Sequence, residues 1–102
     1  MKLSSNQRKF LEALGNKLSP IVRIGKLGLE AKIVSSVNEA FNSHELIKIK
    51  ILDSAPVSAE EVAETAVAGS GAALVRIIGR VILLYKPFSE KPKKIELPPA
   101  KK

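Results

Sequence analysis

Four consecutive residues, Gly25-Lys26-Leu27-Gly28, have the types and spacing to receive a phosphate. Two glycines without Cβ atoms let the backbone approach a phosphodiester closely. The N–H groups and positive dipole end of a following helix would then face the anion. Lys26 adds a mobile cation, and Arg23 and Lys32 flank the loop. Spacing alone leaves a second reading open, in which the glycines only make a tight strand-to-helix turn. The run lacks the glycine number and spacing of a Walker A loop or a dinucleotide fingerprint.

The other chemistry-bearing side chains form no comparable constellation. The chain has no cysteine and one histidine, so disulfides, thiol chemistry and a zinc centre are excluded, and neither metal nor cofactor is expected. His44 precedes Glu45, but acid–base catalysis needs partners converging in a cleft, and the sequence supplies none. A histidine near a helix C-terminus is explained by the dipole alone. Glu60, Glu61 and Glu64 fall at the start of a helix, where negative charge is favourable in any protein. No catalytic residue and no small-molecule substrate are expected, and the chain reads as a non-enzyme.

Charge narrows the partners. Seventeen Lys and Arg against ten Asp and Glu give +7 over 102 residues. Residues 1–32 carry +5, residues 33–85 carry −2 and residues 86–102 carry +4. Basic ends around a slightly acidic middle suit a polyanion such as nucleic acid, although a solvated lysine face has the same composition. Lys48, Lys50 and Arg76 permit the same two readings, as an accessory track across a sheet or a wet surface. Phe10, Phe41, Tyr85 and Phe88 are too few for a base-stacking sheet and read mostly as core. The first nine residues have no apolar run behind their charges, and the longest uncharged stretch, residues 65–75, is far below the ~20 residues of a membrane span. A soluble, cytoplasmic, monomeric protein is expected.

The elements that must position the loop are legible in the pattern. Ser4 and Gln7 form a capping box before Phe10, Leu11 and Leu14, predicting a first helix that ends near Gly15. Pro20 blocks its continuation, and Ile21–Ile24 is a short β-branched run. Leu29, Ile33, Val34, Val37, Ala40 and Phe41 keep a helical period. In Leu46–Leu52, Ile47, Ile49 and Ile51 face one way and Lys48 and Lys50 the other, which predicts a sheet with one wet face. Ser58 and Glu61 begin a third helix that ends at Gly69 or Gly71. Leu74–Ile78 and Val81–Tyr85 flank Gly79-Arg80, a pair suited to a type II′ hairpin.

The expected fold is therefore a single α/β domain of order α-β-α-β-α-β-β. It has a four-stranded mixed sheet, with the first two strands parallel, the last two antiparallel and the helices mainly on one face. Residues 1–87 form the domain. Residues 88–102, with three prolines and five lysines, read as a basic tail in which Ile95 and Leu97 dock at most briefly.

Three ordered blocks carry a family resemblance: residues 18–29 (LSPIVRIGKLGL), residues 44–51 (HELIKIKI) and residues 77–87 (IIGRVILLYKP). Between Leu3 and about Pro87 the chain resembles the CRM domain (chloroplast RNA splicing and ribosome maturation), in its stand-alone bacterial YhbY-like form. The resemblance implies an RNA-binding domain related to the C-terminal domain of a translation initiation factor. It further implies association with ribosomal RNA of large-subunit precursors, a role in ribosome assembly, and RNA contacts by Gly25, Lys26, Leu27 and Gly28. Basic residues of the first helix, Arg8 and Lys9, would extend that surface, with Arg23 and Lys32 beside the loop. Two positions depart from the pattern: Glu30 stands where many relatives have Thr, and Leu27 is apolar at the loop tip. A double-stranded DNA-binding architectural protein is the alternative that composition leaves open.

Overall fold

The computed structural model describes residues 2–28 and 30–100, and Leu29, expected in the second helix, lies outside them. The elements run α1 (Ser5–Gly15), β1 (Val22–Ile24), α2 (Ala31–Ala40), β2 (Leu46–Ile51), α3 (Ala59–Ser70), β3 (Ala73–Ile78) and β4 (Val81–Tyr85). Their order is the expected one. The strands form one sheet in the order β1-β2-β4-β3, parallel between β1 and β2 and antiparallel elsewhere.

Local chemistry explains the boundaries. Ser4 accepts the Gln7 backbone N–H while the Gln7 side chain accepts the Ser4 N–H, a complete capping box that starts α1. Ser58 accepts the Glu61 N–H at the start of α3, and Gly71 closes that helix in the left-handed conformation. Gly69 does not end α3. It lies inside it, where a Cβ would come within 2.6 Å of Val34 on α2, so its lack of a side chain sets the approach of the two helices. At the β3–β4 hairpin Gly79 has φ +59 and Arg80 is not left-handed, the type II′ pattern.

Period-2 burial divides the sheet into two faces. Ile47, Ile49 and Ile51 join Val22, Ile24, Ile82 and Leu84 on the face covered by α2 and α3, through Ile33, Val37, Phe41, Val62 and Ala66. The opposite face is not simply wet, as the lysines of β2 had suggested. Leu46, Leu83, Tyr85, Ala73 and Val75 form a second apolar cluster there, closed by Leu3 and Leu11 of the N-terminal segment. Of the apolar residues expected to anchor α1, only Leu11 is fully buried, while Phe10 and Leu14 are more than one-third exposed. One buried leucine suffices because Gly15 lets the helix backbone sit directly on Leu83.

The second cluster is completed from the C-terminal side. Ile95 and Leu97 pack on it, and Phe88 is buried beside the exit of β4. Glu45, itself buried, organises this path: its carboxylate accepts the backbone N–H groups of Phe88 (2.9 Å), Lys94 (2.7 Å) and Ile95 (2.7 Å). Asn6 Nδ2 donates to the Pro99 carbonyl at 2.8 Å and Gln7 Nε2 to that of Pro98 at 3.0 Å, so the C-terminal segment returns to the start of α1. Burial, and after it the nearby Glu45 charge, push the Tyr85 phenol above its ordinary value near 10.

Candidate nucleic-acid interface

The loop Gly25–Gly28 leaves the end of β1 and turns into α2. Its closing hydrogen bond runs from the Gly28 N–H to the Gly25 carbonyl at 2.9 Å. The base beneath it is tied to β2, because Leu52 N–H donates to the Ile24 carbonyl at 2.8 Å. A short, doubly anchored turn on the end of a sheet is a rigid support for the side chains at its tip.

The two glycines are not equivalent. Gly28 has φ +67, and a Cβ there would lie 3.3 Å from Pro56 Cγ, so the turn itself requires glycine. Gly25 has no positive φ, and a Cβ would meet Leu52 Cδ1 at 3.7 Å, an ordinary contact. The fold therefore accounts for glycine at position 28 and makes no such demand at position 25.

Lys26 and Leu27 form the tip, and both are exposed, Leu27 to 69%. Arg23, in the middle of β1, is exposed on the sheet face opposite α2 and α3. Neither Arg23 nor Lys26 has an acidic or hydrogen-bonded partner among the described residues. Glu30 is the N-cap of α2 and makes no side-chain cap hydrogen bond, whereas α1 and α3 are capped by serines. Its carboxylate instead lies 3.6 Å from Lys32 Nζ, a solvent-exposed pair that contributes little and leaves Lys32 free to exchange partners.

Lys26 and Leu27 sit at the loop tip, with Arg23 on the strand that enters the loop and Lys32 on the helix that follows it, whereas Arg8 and Lys9 lie elsewhere. Helix α1 crosses the far face of the sheet, and the Arg8 guanidinium donates to the carbonyls of Leu74 (2.6 Å) and Val75 (2.8 Å). Those carbonyls lie at a register shift between Leu74 and Arg76, where β3 bulges against β4. A bulge interrupts the ladder and leaves backbone groups without strand partners, and the Arg8 fork supplies them. Strand β3 is the sheet edge opposite β1, about 14 Å away at three strand spacings. Lys9 is exposed on the same helix.

The three sheet cations also separate. Lys48 Nζ donates to the Leu18 carbonyl at 3.0 Å, and Arg76 pairs with Glu12 at 2.7 Å, so both tie α1 and the segment after it to the sheet. Lys50 makes no such contact. This division has no counterpart in the sequence pattern, because all three are flanked by apolar residues in the same way. No group of three or more His, Cys, Asp or Glu side chains among the described residues could hold a metal ion. Among the described residues no helix is long and apolar enough to cross a membrane.

Similarity to known proteins extends over almost the whole chain. The model of the CRS1 / YhbY (CRM) domain matches residues 3–86. The chain is 38% identical over 96 residues to the "Probable RNA-binding protein YqeI" of Bacillus subtilis, covering 94% of this chain and 99% of that one. It is 35% identical to an "RNA-binding protein" of Haemophilus influenzae, over 94% and 95% of the two chains. Among solved structures it is similar to the hypothetical protein SAV1595 of Staphylococcus aureus, with TM-score 0.77, 32% identity, and coverage of 95% of this chain and all of that one.

Proposed function

This chain belongs to the CRS1 / YhbY (CRM) domain family, and on that footing we propose that it binds structured RNA through the loop Gly25–Gly28 and performs no chemistry on it. The observation that carries the reading is the loop itself. It presents unpaired Lys26 and Arg23 beside a glycine, Gly25, whose backbone and surroundings do not demand one. A phosphodiester seated there would meet the positive end of α2, where the N-cap side chain makes no hydrogen bond to the helix N–H groups.

The RNA in this proposal is ribosomal RNA of large-subunit precursors, whose assembly the protein assists as a cytoplasmic monomer. That part rests on the resemblance of the three sequence blocks to the YhbY-like form of the domain. The names of the relatives support RNA in preference to DNA. Crosslinking the protein to RNA in its native cell and sequencing the attached fragments tests the proposal. Reads concentrated in one region of large-subunit ribosomal RNA are expected. Reads scattered over many transcripts would replace assembly by general nucleic-acid binding, and an absence of recovered RNA would overturn RNA binding altogether.

A further inference from the structure

We infer that Lys50, together with Arg23 directly across the strand pair, forms a second phosphate-contacting site on the open part of the sheet, so that bound RNA extends from the loop over β1 and β2. The inference rests on the RNA-binding reading of the loop and assigns a role to a surface outside it.

The register of the parallel pair sets Arg23 opposite Lys50. Both are exposed, and neither side chain has a hydrogen bond or ion pair among the described residues. Adjacent strands are about 4.8 Å apart, and like charges placed opposite one another across a ladder are destabilising. Folding gains nothing from this pair, whereas the neighbouring cations of the same face, Lys48 and Arg76, each have an intramolecular partner. A polyanion lying across the ladder turns the repulsion into two favourable contacts.

Position favours the same partner as the loop. Helix α1 covers the face at Leu46, Leu83 and Tyr85, and leaves β1 and the end of β2 uncovered. That uncovered end leads straight into the loop, because Arg23 lies three residues before Lys26, a reach of at most about 10 Å along the chain. Ile78, 54% exposed at the adjoining hairpin, adds an apolar contact for a sugar or base edge. A strand of RNA can therefore meet Lys26, Arg23 and Lys50 in succession.

The test is titration of the full chain and its variants with a labelled RNA hairpin over a range of salt concentrations. Lys50→Gln is expected to weaken binding and to reduce the slope of log affinity against log salt by about 0.7–0.9, the share of one phosphate contact. Arg23→Gln with Lys50→Gln should reduce it about twice as much. Because the substitution removes a repulsion, the melting temperature should stay level or rise. An unchanged slope in Lys50→Gln, with a reduced one in Lys26→Gln, would overturn the inference and leave the loop reading intact. A parent chain that fails to bind the hairpin would instead overturn the loop reading, and this one with it.

Discussion

The Glu45 carboxylate accepts the backbone N–H of Ile95, fifty residues further along the chain, at 2.7 Å. The same carboxylate holds Lys94 and Phe88, so one buried side chain orders the path that the chain takes after β4. Glu45→Gln keeps the shape but turns one acceptor into a donor facing a backbone N–H. A loss of about 1–3 kcal/mol in urea unfolding is expected, together with faster proteolysis after Pro87. An unchanged unfolding midpoint would show that the segment rests on the domain without stabilising it.

The two loop glycines should separate folding from binding. Gly28→Ala forces a left-handed backbone on a residue with a Cβ and should cost about 1–2 kcal/mol of stability. Gly25→Ala meets only an ordinary contact and should unfold like the parent while binding RNA less well. Thermal melts read beside RNA titrations decide this. Equal loss of stability in both variants would mean that the loop is a turn and nothing more.

Arg8 and Lys26 should respond in opposite ways. Arg8→Ala removes two hydrogen bonds to the bulged carbonyls of β3 and should destabilise by about 1–2 kcal/mol. Lys26→Ala should leave unfolding unchanged and weaken RNA binding. Chemical denaturation of each variant, followed by binding measured under folded conditions, separates the two effects. RNA affinity lost in Arg8→Ala at full stability would return Arg8 to the interface.

Tyr85 gives the pH dependence a sign. Its phenol is held above the ordinary value, first by burial and then by Glu45, so the folded state favours the neutral form. The associated stability is fully present below about pH 10 and is lost as pH rises through the folded value, because only the unfolded chain ionises readily there. The parent should therefore lose stability above pH 10 more steeply than Tyr85→Phe, as measured by melting temperature in matched alkaline buffers. Parallel pH curves would remove Tyr85 from the explanation.

Much of this architecture is local and so was legible in the sequence. Ile47, Ile49 and Ile51 alternate with lysines, Ser4 and Ser58 precede helices, and Gly79-Arg80 separates two β-branched runs. Each of these signals acts within a few residues. What escaped was non-local. Nothing near Glu45 indicates that its partners lie 43 to 50 positions away. Leu83 and Tyr85 look like any strand residues, so the second core and the site of α1 could not be read from them. The candidate loop was visible because glycines and a lysine are adjacent there, whereas the fate of each cation was not: Arg8, Lys48 and Arg76 differ from Lys50 only in what the fold brings to them.

The bonds from Asn6 to Pro99 and from Gln7 to Pro98 carry a consequence for how such a unit can be deployed. The polypeptide enters and leaves through one doorway, on the far side of the sheet from α2 and α3 and at the opposite edge from β1. A larger protein could host the unit as an inset, or string several in series, with the connecting segments kept clear of the loop. Joining the two ends and opening the chain elsewhere should likewise preserve the fold.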